Sequence, residues 1–286
     1  MSHKHSATLL ICCPDRKGLV ATIANFLLSY NANILHADQH QDADGGLFLM
    51  RVEWALDGFT LPIADFAAAF EPIARENRME WKMALSENKP KIAIFVSKYE
   101  HCLIDLLHRW RIGELHCEIP LIISNHEDCR RIAEFNGIPY HVVPVTRQNK
   151  VELEQQQFAL LEQHGVDLII LARYMQVLSE EFVQRYPNRV INIHHSFLPA
   201  FDGAKPYHRA HARGVKLIGA TAHFVTPDLD EGPIIDQDVE RVDHAFTPAD
   251  LLRTGRHSES VVLERALQQV LERRVFINGE RTVVLR

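Results

Sequence analysis

The polar residues best suited to chemistry occur in two short segments in the second half of the chain. The first is Asn192-Ile193-His194-His195-Ser196, which places an amide, two imidazoles and a hydroxyl directly after an apolar run. Alternate residues of a strand point to the same side of a sheet, so Asn192 and His194 are expected on one side. Because an Asn amide can donate to a developing oxyanion and a histidine can donate a proton, this pair suits the polarisation of a carbonyl.

The second segment joins His223, which lies in an apolar run, to an acidic loop that contains Asp228, Asp230 and Glu231. Such a loop can bind a cation, hold a histidine by ion pairing, or be a solvated turn. His223 alone also fits a hydrogen-bonded structural histidine, and the first segment alone also fits a strand end that caps the next turn. Together, however, an amide, imidazoles and a carboxylate in one cleft suit nucleophilic addition to a carbonyl.

The elements before residue 86 predict a small α+β domain. Their order is βαββαβ, the ferredoxin-like split βαβ arrangement, in which an antiparallel sheet carries both helices on one face. Asp44-Gly45-Gly46 is a hairpin signal between the second and third strands. The apolar patterns predict strands over Ala7–Cys13, Asn33–Gln41, Leu47–Trp54 and Met79–Ala84, and helices over Leu19–Tyr30 and Ile63–Asn77.

Residues 86–90 form a polar segment that ends in Pro90, and they predict a linker between domain 1–85 and domain 91–286. Beyond the linker, short apolar runs alternate with helical patterns, which predicts a Rossmann-like, mostly parallel sheet. Ligands bind such sheets beyond the carboxyl ends of the strands, where Asn192 and His194 are expected. The predicted strands are Ile92–Val96, Leu121–Ser124, His141–Val143, Leu168–Leu171, Val190–Ile193, Leu217–Phe224 and Ile234–Val242, and the predicted helices are 102–111, 128–136, 151–164, 179–186 and 248–273.

The two polar segments together resemble the signature of the formyltetrahydrofolate-dependent formyltransferase and hydrolase fold. That signature is N-I-H-x-S-x-L-P, followed further along the chain by H-x-V-x-x-x-x-D-x-G. The residues that match it are Asn192, His194, Ser196, His223, Asp230 and Gly232. The resemblance implies that Asn192, His194 and Asp230 form a catalytic triad.

Within that fold, nearly the whole chain resembles the hydrolase branch, the formyltetrahydrofolate deformylase family. Membership implies hydrolysis of 10-formyltetrahydrofolate to tetrahydrofolate and formate for one-carbon and purine metabolism, with no cofactor and no metal. The stretches that carry the resemblance are Ser124–His126, Leu171–Gln176, His194–Pro199, Lys205–His208 and Asp230–Ile235. The resemblance also implies that the folate is bound by Met175, Gln176, Val177, Leu178, Ser196, His223, Asp228 and Gly232.

The main alternative is a transferase that moves the formyl group from 10-formyltetrahydrofolate to a small amine. Glycinamide ribonucleotide formyltransferases hold their acceptor phosphate on a Gly-rich turn after the first strand. Here Ser97–Cys102 contains no glycine, and Glu100 would repel a phosphate, which favours water as the acceptor. A regulatory protein with an inactive catalytic domain is disfavoured by the intact triad, and a zinc deformylase is disfavoured because His126–Arg130 lacks the second histidine of H-E-x-x-H.

The segment Asp15-Arg16-Lys17-Gly18-Leu19-Val20 resembles the entry motif of an ACT domain, although Lys17 stands where such motifs often carry proline. The resemblance implies that Asp15, Arg16, Gly18 and Leu19 bind a regulatory amino acid, such as glycine or methionine. It also implies a homo-oligomer, because ACT domains commonly pair.

Composition narrows the remaining possibilities. The 286 residues carry a net charge of -6 without a basic run, which argues against nucleic acid as a main partner. No apolar run approaches the length of a membrane span, and the first residues lack the features of a signal peptide. The five cysteines form no C-x-x-C pair, which argues against a disulfide framework and fits a reducing cytosol. We therefore expect a globular cytoplasmic protein.

Overall fold

The computed structural model describes residues 5–43, 45–146, 148–199 and 206–286. The chain divides into two compact units, one formed by Met1–Lys89 with Glu272–Phe276 and Val283–Arg286, and the other by Pro90–Leu271 with Ile277–Thr282. The first break along the chain therefore falls within the predicted linker 86–90. Asp44 of the predicted hairpin turn and Lys205 of the resemblance stretch lie outside the described residues.

The first unit contains a four-stranded antiparallel sheet with the strand order β2-β3-β1-β4. Every second residue of β1, from Ala7 to Cys13, is buried in one core together with Phe26 of α1 and Phe66 of α2. Both helices therefore pack on one face of the sheet, and the predicted ferredoxin-like fold is confirmed. The elements are β1 (Ser6–Pro14), α1 (Leu19–Ser29), β2 (Asn33–Asp42), β3 (Leu47–Ala55), a 3₁₀ turn (Ile63–Asp65), α2 (Phe66–Asn77) and β4 (Glu80–Leu85).

The second unit contains a seven-stranded sheet with the order β11-β10-β9-β8-β5-β6-β7. The five strands from β9 to β7 are parallel, and β10 is antiparallel to both of its neighbours, so the predicted mostly parallel sheet is confirmed. Its strands are β5 (Lys91–Val96), β6 (Glu118–Ser124), β7 (Tyr140–Val142), β8 (Leu168–Ala172), β9 (Val190–His194), β10 (Leu217–Phe224) and β11 (Ile234–Arg241). Its helices are α3 (His101–Ile112), α4 (Arg130–Phe135), α5 (Lys150–Gln163), α6 (Glu180–Arg185), α7 (Pro206–Arg213) and α8 (Pro248–Leu271).

Two features of the C-terminal part differ from the sequence-based prediction. Helix α7 was not predicted, and neither was the hairpin of β12 (Val275–Asn278) and β13 (Arg281–Val284). The signal for the hairpin is present, since Asn278-Gly279 lies between apolar runs and Gly279 has a φ of 62°.

The assignment of every residue after 90 to the second domain was wrong for the end of the chain. The buried Arg51 of β3 donates from Nε to the Glu272 carbonyl at 3.1 Å, and the Arg286 amide donates to Asp38 of β2 at 2.6 Å. Leu285 is buried as well. These residues therefore join the first unit, because the strands β2 and β3 supply the hydrogen-bond partners that the chain end lacks by itself.

Ser97 joins three strand ends at the carboxyl edge of the larger sheet. Its hydroxyl follows β5, donates to Asn125 Oδ1 after β6 at 2.7 Å and accepts from the Met175 amide after β8 at 2.9 Å. Beside them, the antiparallel pairing of β9 with β10 sets Asn192 opposite His223. This edge thus brings together the two polar segments that are far apart in the sequence.

No described helix combines the length and the apolar character needed to cross a membrane.

Candidate active site

A cavity of about 590 Å³ lies at this edge of the second unit. Four of the predicted residues, Asn192, His194, His223 and Asp230, line one part of it. His194 is 6% exposed and His223 is 2% exposed, so both imidazoles lie almost entirely inside the protein.

Asp230 is the centre of this group. It has a left-handed backbone with a φ of 58°, and its two carboxylate oxygens face different histidines. Oδ2 lies 3.2 Å from His194 Nδ1, and Oδ1 lies 3.5 Å from His223 Nε2. Burial alone would raise the pKa of Asp230, but the neighbouring histidines, His194 before His223, hold that pKa below its ordinary value. Asp230 is therefore a carboxylate at neutral pH.

His223 positions Asn192. Its Nδ1 lies 2.8 Å from the Phe224 carbonyl, an acceptor, so Nδ1 carries a hydrogen, and in this tautomer Nε2 can accept. Nε2 lies 3.2 Å from Asn192 Nδ2, whose other contact is a longer one of 3.4 Å to Asp230. The amide is thus held on one side by a histidine and bound only weakly on the other.

His194 has one ring nitrogen free. Nδ1 faces Asp230, while Nε2 is buried and has no hydrogen-bond partner among the described residues. The ring of His195 stacks on that of His194, with 4.8 Å between centroids. Burial, followed by the charge of Arg173, lowers the pKa of His195 to about 4, so His195 is neutral at physiological pH.

The predicted folate-binding residues divide into two groups. Five of the eight, His223, Met175, Gln176, Val177 and Leu178, line the cavity, and the side chains of Met175 and Val177 are exposed. Three others lie outside the lining and have local structural roles. Ser196 is buried and its carbonyl accepts from Thr221, the Asp228 carbonyl accepts from Thr226, and a Cβ at Gly232 would collide with the Phe224 carbonyl.

A second carboxylate at the cavity was missed in the sequence. Glu259 of α8 is 1% exposed, accepts from the Tyr207 hydroxyl at 2.7 Å and lies 2.7 Å from His101 Nε2. Arg173 Nε lies 3.4 Å away, within ion-pair distance but without a hydrogen bond. Its position carried a signal, since a charged residue stands four residues before the buried Leu263 on the apolar face of a long helix.

His101, Cys102 and Glu259 also bring three potential metal ligands within 4.8 Å of one another. Two observations argue against a cation there. Burial raises the pKa of the Cys102 thiol far above neutrality, which keeps it protonated, and the Arg173 guanidinium already lies beside Glu259. This group is better described as a buried polar network than as a metal site.

In the first unit, the four predicted regulatory residues surround a separate cavity of about 550 Å³. Asp15, Arg16, Gly18 and Leu19 line it, and Gln41 donates to Asp15 Oδ2 at 2.6 Å. Gly18 precedes α1 with a φ of 91°, a conformation that favours glycine.

The fold and the site define an enzyme of the formyl transferase type that also carries a ferredoxin-like domain. Residues 90–267 match the model of the formyl transferase family, and residues 7–73 match that of the ACT domain. The match to the first covers more than half of the chain, so the chain belongs to the formyl transferase family. The family and domain combination that the motifs predicted is confirmed.

Comparison with named relatives shows to which branch of the formyl transferase family the chain belongs. The chain is 53% identical to the formyltetrahydrofolate deformylase of a Synechocystis strain, with 98% of both chains covered, and 48% identical to that of Bacillus subtilis, with 96% of this chain and 92% of the relative covered. A crystal structure of the deformylase from Pseudomonas syringae has a TM-score of 0.96 at 46% identity and covers 99% of this chain and 95% of the relative. The chain therefore belongs to the formyltetrahydrofolate deformylases, which are hydrolases.

Glycinamide ribonucleotide transformylase 1 from Symbiobacterium toebii is similar over a smaller part. It has a TM-score of 0.65 at 31% identity, covering 69% of this chain and 95% of that chain. The similarity to transferases therefore leaves about a third of the chain unmatched, whereas the similarity to deformylases extends over both units.

Proposed function

We propose that the chain hydrolyses 10-formyltetrahydrofolate to tetrahydrofolate and formate at the cavity that contains Asn192, His194 and Asp230. The observation that carries this proposal is the buried Nε2 of His194, which has no partner among the described residues and whose other ring nitrogen faces an ionised Asp230. Such a nitrogen can act on a reacting carbonyl group without first giving up a partner inside the protein.

In the proposed reaction, water attacks the formyl carbon and a carbon–oxygen bond forms. The formyl oxygen then carries negative charge, which Asn192 and a doubly protonated His194 stabilise by donating hydrogen bonds, while the Asp230 carboxylate stabilises the charged imidazole. The weak 3.4 Å contact between Asn192 and Asp230 is the one that the new oxyanion replaces. Asp230 is 24% exposed, so it can also receive the proton that the attacking water loses.

The intermediate collapses by breaking the bond between the formyl carbon and the folate nitrogen. That nitrogen takes up one proton as it leaves, and the acid formed from the formyl group loses another, so the products are tetrahydrofolate and formate. The exposed apolar side chains of Met175 and Val177 offer a surface for the flat ring system of the folate.

Two variants test the site. His194→Ala and Asp230→Asn should abolish most formate release while folate binding, measured separately by titration, changes much less. Either variant turning over substrate at the wild-type rate would contradict the roles proposed for these residues.

Transfer to a small amine is tested by the purified protein alone. Incubation with 10-formyltetrahydrofolate and no amine should release formate and tetrahydrofolate in equal amounts. Formate or formylated product that appears only after an amine is added would instead support the transferase. The loop after β5 favours hydrolysis, since Ser97–Cys102 contains no glycine whose backbone could approach an acceptor phosphate.

We further propose that the cavity of the first unit binds a free amino acid, glycine or methionine, and that paired ACT domains make the protein a homo-oligomer. Asp15 can pair with an ammonium group and Arg16 with a carboxylate, and both line the cavity. Titration calorimetry with each amino acid, on the wild type and on Asp15→Asn, tests the first part. Light scattering of the purified protein tests the second.

The cytoplasmic location and the lack of a cofactor stay predictions. All five cysteines are free thiols, which agrees with a reducing compartment. Turnover by protein dialysed against a chelator tests the second prediction.

A further inference from the structure

Arg173 is a buried guanidinium in the wall of the active-site cavity. It follows β8 directly and has a left-handed backbone with a φ of 62°, a conformation that is uncommon for a residue with a side chain. Its side chain is only 11% exposed and lines the same cavity as the Asn192, His194 and Asp230 group. A backbone held in such a conformation at a site is a reason to ask what its side chain does there.

The Nε donor of this guanidinium is buried and has no hydrogen-bond partner among the described residues. The nearby Glu259 gives its two oxygens at 2.7 Å to Tyr207 and to His101. Arg173 Nε lies 3.4 Å from one of these oxygens, makes no hydrogen bond with it and is buried without any other partner. Glu259 therefore offsets some of the charge of Arg173 but accepts no hydrogen bond from its Nε.

The charge at this end of the cavity is positive. Arg173 lies 5.2 Å from the centre of the Tyr99 ring, and Arg256 lies 5.6 Å from the same ring. Of the described carboxylates that line the cavity, Glu259 lies beside Arg173 and Asp230 lies beside His194 and His223, so two guanidinium groups face one carboxylate here. A mostly buried guanidinium that lines a cleft can bind an anion with two acceptor oxygens, because its planar N–H groups match the geometry of a carboxylate.

The positive end is close to the reacting groups. His195 stacks on His194 and also lines the cavity, and the charge of Arg173 acts on this ring. A small molecule released from the formyl carbon beside His194 therefore starts its path near Arg173.

Hydrolysis creates an anion that formyl transfer does not. When an amine takes the formyl group, the product is a neutral amide, whereas water as the acceptor yields formate, a carboxylate with two equivalent oxygens. We propose that Arg173 forms the binding site for the formate product, with its planar N–H groups donating to the two formate oxygens. The inference rests on the proposed hydrolysis and adds a product site to it.

The test measures formate binding directly, by the line broadening of ¹³C-labelled formate in the presence of the enzyme, and by product inhibition of turnover. Arg173→Gln should weaken formate binding by at least about tenfold in both measurements, since it removes a charge-assisted bidentate contact. Arg173→Lys, which keeps the charge but not the planar fork, should have an intermediate effect. Arg111→Gln is the matched control, because Arg111 also lies over an aromatic ring, that of Phe135, but is exposed and outside the cavity.

Glu259→Gln should change the formate affinity in the opposite direction. This variant therefore separates an electrostatic effect from a general loss of structure. Removal of the nearby negative charge should tighten formate binding by at least about threefold, which a loosened fold would not do. Formate affinity unchanged in Arg173→Gln, or weakened in Glu259→Gln to the same degree as in Arg173→Gln, would overturn the inference. Failure of the wild type to release any formate from 10-formyltetrahydrofolate would instead overturn the proposed function, so the two failures are distinguishable.

Discussion

Two carboxylates in one cavity, Asp230 and Glu259, are held in different ways. Both are surrounded by histidines or an arginine, and in both the partners bring the pKa below its ordinary value although burial alone would raise it. Asp230 lies on a loop and is 24% exposed, whereas Glu259 lies on a helix and is 1% exposed. The partly open carboxylate can exchange protons with water, while the closed one can only fix its neighbours and set the local charge.

The largest expected effect is on the catalytic rate, which should depend strongly on the charge of Asp230. Asp230→Asn keeps the shape of the side chain but removes the charge that stabilises a protonated His194, so kcat should fall by about 10³-fold. Glu231→Gln is the control, because Glu231 is an exposed acidic residue of the same loop. Steady-state kinetics of formate release provide the measurement, and a fall of less than about tenfold would remove Asp230 from the chemistry.

A change in the hydrogen-bond network around Glu259 should mainly affect the free energy of unfolding. Gly255 lies against Tyr207, and a Cβ at this position would overlap the tyrosine ring and hydroxyl. Gly255→Ala should therefore lower the free energy of unfolding by about 3 kcal/mol, through overpacking and loss of the hydrogen bond to Glu259. Urea unfolding checks this, with Thr254→Ala on the same helix as the control, and equal stability of the two variants would contradict it.

The charges of both carboxylates act on His195, and its protonation should affect how stability depends on pH. Its pKa is lowered to about 4 from an ordinary value of 6.5, so the folded state resists its protonation. As the pH falls through 6.5 toward 4, the unfolded chain binds a proton that the folded one does not, and stability is lost.

His195→Gln should remove that part of the loss, by up to about 3 kcal/mol between neutral pH and pH 4. Unfolding free energies measured at several pH values test this against the wild type. Parallel curves for the two proteins would show that His195 does not titrate as the structure indicates.

The smallest effect concerns a single hydrogen bond to the closed carboxylate. Tyr207→Phe removes the hydroxyl that donates to Glu259 at 2.7 Å, and this should cost about 1.5 to 2 kcal/mol of unfolding free energy. Tyr174→Phe is a comparable control, because its hydroxyl accepts from the uncharged Gln157 at 3.1 Å and its loss should cost less. A larger loss in the control would argue that Glu259 does not depend on Tyr207.

The two carboxylates also differ in how visible they are in the sequence. Asp230 stands in a motif that can be read by its spacing from His223, and Asn192 and His194 lie two residues apart on one strand. Glu259 lies in a helix whose sequence contains no functional motif. Arg173 lies in a segment that resembles the family, but no motif relates its position to that of Glu259. The contact between them spans parts of the chain that no local pattern connects.

The amino-acid sequence by itself determined the family, both domain folds and the three residues of the proposed chemistry. It could do so because apolar periodicity is local and because the two halves of the motif occupy the ends of adjacent strands. Only the tertiary structure decided that His223 holds Asn192, that the end of the chain joins the first unit, and that Arg173 lines the cavity with an Nε that has no partner in the described part of the chain. Each of these features depends on which groups form hydrogen bonds with each other. Packing between segments that are distant in the sequence determines those pairs.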